Sequence, residues 1–321
     1  MSAPFLLDWD DISSLLGQIE VHDSMKQAFI EHSKGNSEIP PVGELLFEDP
    51  PGEVHIKYGY LKGGSHYVIK IASGFPNNAN EGIKPGQGMM LLFNINTGVP
   101  QAILVDEANL TDLRTGIAGA IASRTLANSD LESATIIGSG VQARYQARCL
   151  LDIMSLNNIM IWARDSKKAE ALINDLSDLN ITIKIHDNLE ALVKESQLIV
   201  TTTSAKTPII KSDWVQPGTH ITAVGSDTPE KCELDPKILA KASIVVADSI
   251  SQNKLRGEIH QALKAKCLLE ENLIELGEVL EETKLGRTDP NQITVADLTG
   301  VAIQDLVIAE AVFRAKIQIN Y

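Results

Sequence analysis

The spacing of apolar positions divides the chain into two differently patterned parts. Short apolar runs at residues 134–137, 159–163, 181–185, 198–203, 219–224 and 244–247 alternate with helical periodicity such as that of 167–176. Buried strands separated by helices predict a parallel sheet covered on both faces. Residues 121–300 are therefore read as an α/β, doubly wound Rossmann-type domain. Residues 1–120 read differently, with amphipathic helical stretches at 10–16 and 21–33 followed by β-like segments at 44–47, 54–61, 67–72, 89–94 and 101–106. Lys62-Gly63-Gly64 and Asn96-Thr97-Gly98 are turn sequences that join the last four segments into hairpins. An α+β domain built on an antiparallel sheet is expected. A helix over 109–126 connects the two parts, and a closing helix over 301–316 is expected to return to the first, assigning residues 301–321 to it.

The most specific local pattern is the apolar run 134–137 followed by Gly138-x-Gly140-x-x-Ala143 and a helical pattern to 154. In a strand-turn-helix context Gly138 makes the tight turn, Gly140 lets a pyrophosphate approach the backbone, and Ala143 allows close helix packing. Amide N–H groups opening the helix favour an anion. Gly138, Ser139, Gly140, Val141 and Gln142 are thus candidate dinucleotide-binding residues. After the second strand, the position where an acid would bind the adenosine ribose is Ala163, flanked by Arg164, Asp165, Ser166 and Lys167. Arg164, Ser166 and Lys167 suit a 2′-phosphate, so NADPH is the preferred coenzyme, with NADH usable and Asp165 as the counterweight. Ligands of open α/β sheets bind beyond the carboxyl ends of the strands, which adds Thr202, Thr203, Ser204, Val224, Gly225 and the carboxylate Asp227.

Composition narrows the partners. A hydrophobic content of 44% with 22% charged residues fits a globular protein, and 321 residues suit two cores. No apolar run approaches the roughly 18 residues of a membrane span, and the N-terminus has no basic stretch of a secretory signal, so a cytoplasmic protein is expected. A net charge of −14 without basic runs argues against nucleic acid. Cys149, Cys232 and Cys267 form no metal-ligand or disulfide pattern.

Two cations in the first part stand out. Lys70 alternates onto the same face as Val68 in an apolar strand, where a lysine is costly unless it meets an anion. Arg114 opens a helix of small and apolar residues. Together they would clamp a carboxylate, Arg114 as a bidentate fork and Lys70 as a point charge.

The ordered set Val68-Ile69-Lys70, Asn96-Thr97-Gly98, Leu110-Thr111-x-x-Arg114-Thr115-Gly116, Ile137-Gly138-Ser139-Gly140-x-Gln142-Ala143, Val224-Gly225-x-Asp227 and Asp297-x-x-Gly300-x-Ala302-x-Gln304-Asp305 resembles the ornithine cyclodeaminase and mu-crystallin family over nearly the whole chain. The resemblance implies a homodimer joined through the antiparallel-sheet domains. It also implies that Lys70 and Arg114 hold the substrate carboxylate, that Asp227 is catalytic, and that Thr299 to Val301 lies near the nicotinamide. The Arg and Glu by which cyclodeaminases hold their substrate are missing, since the aligned stretches read Pro41-Val42-Gly43-Glu44 and Val54-His55-Ile56-Lys57-Tyr58, and Lys57 is the candidate replacement cation. The reading that follows is an NAD(P)H-dependent reductase of cyclic imino acids. Its expected substrates are Δ1-pyrroline-2-carboxylate and Δ1-piperideine-2-carboxylate. Ornithine cyclodeamination, non-catalytic binding and acyclic amino acid oxidation are its rivals.

Overall fold

A computed structural model describes residues 3–319. The chain forms two compact units, Met1–Arg114 with Val301–Tyr321, and Thr115–Gly300. This division and the expected one at residue 120 both fall inside the single helix Asn109–Leu126.

In the first unit the strands Pro100–Leu104, Gly86–Asn94, His66–Gly74 and Pro51–Leu61 pair antiparallel in that order. Gly43–Glu48 and the short Ser37–Glu38 both pair with Pro51–Leu61. The sheet is mixed rather than purely antiparallel, because Phe5–Leu7, which the sequence pattern did not suggest, adds parallel to Pro100–Leu104. Three residues are too few for a periodic signal. One sheet face carries the alternating residues Val68, Met90, Leu92 and Leu104, all fully buried. The closing helix, observed over Ala302–Ile319, packs on the strands of this sheet with Ile308 and Val312 buried. Its cover explains why only one phase of each strand is inaccessible.

The second unit is an eight-stranded, wholly parallel sheet in the order Thr182–Ile185, Asn158–Trp162, Ser133–Ile137, Leu198–Thr201, His220–Ala223, Thr294–Asp297, Ile244–Ala247 and Leu273–Glu275. Six of these strands coincide with the apolar runs. Thr294–Asp297 and Leu273–Glu275 do not, since two central apolar residues between Thr and Asp, or two before Glu, are too short an apolar run to mark a strand. Ile137, Ile199, Ile221, Val245 and Val295 share the core under the helices. His220 in the centre bridges the hydroxyls of Thr294 and Thr222, both 2.8 Å away, and burial with the nearby Arg287 charge depresses its pKa to about 3. It is a neutral core histidine. Cys149, Cys232 and Cys267 are free thiols. Among the described residues no helix is long and apolar enough to cross a membrane.

Candidate functional site

The first unit holds a buried cation cluster. Antiparallel register sets Lys57 opposite Lys70, which places both on the sheet face covered by the closing helix. Lys70 is 2% exposed and Lys57 7%. Arg114, also buried, comes from helix Asn109–Leu126, whose first turn is held by Asp106: its Oδ2 accepts the Leu110 amide at 2.9 Å. Glu107 and Ala108, just before that helix, adopt φ of +50° and +65°, a left-handed conformation that costs non-glycine residues energy. Asp106 was expected to end a strand, but the strand stops at Leu104.

The residues meet at Asp305, in the first turn of the closing helix and fully buried. Its Oδ1 lies 3.1 Å from Lys70 Nζ and 2.8 Å from Arg114 Nε, while Arg114 Nη1 donates to Gln304 Oε1 at 2.5 Å. Burial raises the Asp305 pKa, but Arg114, Lys70 and Lys57 outweigh it and hold the carboxyl below the usual range. Burial and the Arg114 charge push Lys70 down to about 8 against the pull of Asp305. Burial raises the Asp106 pKa, opposed by the Leu110 amide. Lys70 thus feels the Asp305 and Asp106 carboxylates, and Lys57 and Arg114 act on Asp305. Buried charge without compensation is costly, and here one buried carboxylate, Asp305, compensates both Lys70 and Arg114. Gln304 and Asp305 were visible in the sequence as a motif, but nothing there gave them a partner.

The second unit holds a groove of about 470 Å³ at the carboxyl ends of its strands. Gly138, Ser139 and Gly140 line it from the first strand-helix turn, Ala163, Arg164, Asp165 and Lys168 from the second, and Thr202, Thr203 and Ser204 from the next. Gly138 has φ of +129°, and a side chain there would strike Thr202 Oγ1 at 2.3 Å. A Cβ on Gly140 would meet nothing within 4 Å, which leaves open space before the helix Val141–Ile153. Gly140 is the N-cap of that helix and makes no side-chain cap bond, so no side chain stands between the helix start and this space, a fit for a pyrophosphate. Arg144 reinforces the turn by donating to the carbonyls of Ser139 and Gly140 at 3.0 and 2.9 Å. Val141 and Gln142 begin the helix without lining the groove.

Lys168 rather than Ser166 or Lys167 lines the groove. Asp165 is the N-cap of the helix Ser166–Asp175, its Oδ1 accepting the amides of Lys167 and Lys168 at 3.0 and 3.4 Å. Asp227 does not line the groove. Its carboxylate pairs with Lys231 at 2.5 Å and is 42% exposed, and its carbonyl accepts from Arg256. Val224 is buried, and Gly225 lies against the backbone of Thr203. Thr299 and Gly300 are held by Asp248, which accepts the Thr299 hydroxyl at 3.2 Å and the Gly300 amide at 2.7 Å; Val301 is fully buried.

Beneath these loops lies a set of buried acids, of which Glu233 and Glu258 escaped the sequence reading and Asp297 was visible only as part of a motif. Glu233 accepts the Thr203 amide, the Thr201 hydroxyl and the Gly225 amide at 2.6, 2.7 and 3.0 Å. Glu258 accepts the amides of Glu233 and Leu234 and the Ser226 hydroxyl. Asp297 accepts the Ile259 amide at 2.8 Å. Burial raises their pKa values to about 7, 8 and 7 respectively. No one-dimensional signal marks an acid as buried when its partners are backbone amides.

The chain matches the model of the ornithine cyclodeaminase/mu-crystallin family over residues 4–318. A relative described as an uncharacterized cyclodeaminase, from Sinorhizobium fredii, is 42% identical over 278 residues, covering 86% of this chain and 84% of that one. An archaeal alanine dehydrogenase dimer with bound NAD superposes with a TM-score of 0.89 at 30% identity, covering 99% and 97% of the two chains. The Δ1-pyrroline-2-carboxylate reductase of Thermococcus litoralis, in complex with NADH and L-proline, superposes with a TM-score of 0.92 at 28% identity, covering 98% of each.

Proposed function

Since the chain belongs to the ornithine cyclodeaminase/mu-crystallin family, we propose that it is an NAD(P)H-dependent oxidoreductase acting on C=N bonds, and that its substrates are cyclic imino acids. Δ1-Pyrroline-2-carboxylate, giving L-proline, is the proposed main substrate, with Δ1-piperideine-2-carboxylate, giving L-pipecolate, as the second. The observation that carries the reading is the convergence of Lys70 and Arg114, both buried, on one oxygen of the buried Asp305. The likeness to a reductase whose structure is in complex with NADH and L-proline supports it.

Lys70 and Arg114, assisted by Lys57, anchor the substrate carboxylate and so orient the C=N carbon. Asp305 and Gln304 fix the Arg114 guanidinium for that task. The glycine turn, Arg164, Lys168 and the loop 202–204 hold the dinucleotide, which supplies the hydride when bound. Asp227 is assigned to the protonated imine, stabilising its charge directly or through water. NADPH is the preferred coenzyme in this proposal, because Ala163 stands where an acid would repel a 2′-phosphate and Arg164 and Lys168 line the groove. The Asp165 carboxylate is meanwhile engaged by two helix amides. The protein is proposed to act as a homodimer. Ile56, Tyr58, Ile69, Ile71 and Leu91, on the sheet face opposite the closing helix, are only half-buried or exposed, and Leu45, Leu46 and Phe47 of the neighbouring strand are exposed. Steady-state NADPH oxidation with the two cyclic imines, against pyruvate plus ammonia, tests the function. Turnover confined to the acyclic pair rejects the cyclic substrate.

A further inference from the structure

The loop 202–204 is gripped from behind by a residue outside the groove. We propose that Glu233 is a positioning residue for the coenzyme, its carboxylate holding the ends of two adjacent strands so that this loop presents a fixed surface to the dinucleotide. The proposal rests on the reading of the groove as the dinucleotide site. Oε1 accepts the Thr203 amide at 2.6 Å, and Oε2 accepts both the Thr201 hydroxyl at 2.7 Å and the Gly225 amide at 3.0 Å. Thr201 ends the strand Leu198–Thr201, and Gly225 follows the neighbouring strand His220–Ala223. The two loops touch backbone to backbone. A Cβ on Gly225 would stand 2.1 Å from Thr203 O, 2.5 Å from Thr203 N and 2.6 Å from Glu233 Oε2.

On its other side the same loop meets the glycine turn, where Thr202 Oγ1 occupies the place of a Gly138 side chain. The loop is therefore wedged between the phosphate-binding turn and the Glu233 carboxylate. Glu233 is itself fixed, because Glu258 accepts its amide at 2.7 Å and the next amide, of Leu234, at 3.1 Å. Both acids are fully buried or nearly so. Three donors converging on two oxygens favour the carboxylate form, against the burial that raises its pKa. A glutamine offers one acceptor oxygen and turns two hydrogens toward groups that are themselves donors.

The test measures NADH affinity of the full chain by coenzyme fluorescence, alongside thermal unfolding and the kcat and KM for the imine, in Glu233→Gln and Thr201→Val. Glu233→Gln is expected to unfold cooperatively and to weaken NADH binding about tenfold or more, with the imine KM at saturating coenzyme little changed. Thr201→Val, which removes one donor and leaves both amides, is expected to show a smaller loss of the same kind. A merely structural role would lower the unfolding temperature and leave the affinity of the folded protein intact, and that result overturns the proposal. If Glu233→Gln does not fold, unchanged NADH affinity in Thr201→Val overturns it instead. A parent chain that binds no NADH or NADPH rejects the reading of the groove, and the positioning role with it.

Discussion

Lys70 Nζ lies 3.1 Å from Oδ1 of Asp305, a buried ion pair between a strand of the first sheet and the helix that closes the chain. The same oxygen receives Arg114 at 2.8 Å, so one carboxylate supports two cations. Attraction in a poorly hydrated site offsets desolvation only while the partners stay together. Asp305 is accordingly the residue that lets both cations sit together in the folded chain.

Asp305→Asn should therefore destabilise the protein by about 3–5 kcal/mol, the usual loss when one partner of a buried pair is removed. Denaturant unfolding without ligand measures it. A loss under about 1 kcal/mol would show that water or another group already compensates the cations.

The low pKa of Lys70 has two opposite consequences. Between about 8 and 10.5 the unfolded chain holds the Lys70 proton while the folded chain has released it, so this group's contribution to stability rises with pH across that window. Anion affinity falls over the same window, because the neutral amine attracts a carboxylate less. Binding of pyrrole-2-carboxylate, whose ring nitrogen does not titrate there, should weaken above pH 8 or so. An affinity that stays level to about pH 10 removes Lys70 from the carboxylate site.

Arg114→Ala should reduce kcat/KM for the imine by about 2–4 kcal/mol of transition-state stabilisation. NADPH affinity should be nearly unchanged. Wild-type efficiency in a variant that binds coenzyme normally would mean that the carboxylate is held elsewhere.

Arg164→Ala should raise KM for NADPH well above its effect on NADH, since only the former loses a charge-assisted contact to a 2′-phosphate. Equal effects on the two coenzymes, or a parent preference for NADH of about tenfold, would assign the ribose hydroxyls to Asp165 instead.

Ornithine should be a poor substrate. The Arg and Glu expected of a cyclodeaminase are missing around Val42 and Ile56. A planar imine brings no second ammonium to be matched. Proline formed from ornithine with catalytic NAD is compared with proline formed from the imine with NADPH. Comparable rates restore the cyclodeaminase reading.

The sequence by itself determined the dinucleotide turn and most of the parallel sheet, because those depend on local patterns. Glycines at fixed offsets are demanded by a backbone that must turn at φ of +129° beside Thr202, and buried parallel strands are mostly apolar runs. It also singled out Lys70 and Arg114, since a cation in an apolar strand or a small-residue helix is conspicuous. Only the tertiary structure decided what those cations meet. Asp305 follows Lys70 by 235 positions and Arg114 by 191, and no periodicity connects residues that approach through a returning helix. The same holds for Glu233 and Glu258, whose partners are mostly backbone amides delivered by neighbouring loops. A one-dimensional pattern records which face of an element is buried, but not which distant donor converges on a buried oxygen. Short edge strands such as Phe5–Leu7 belong with them, being created by the partner strand rather than by their own three residues.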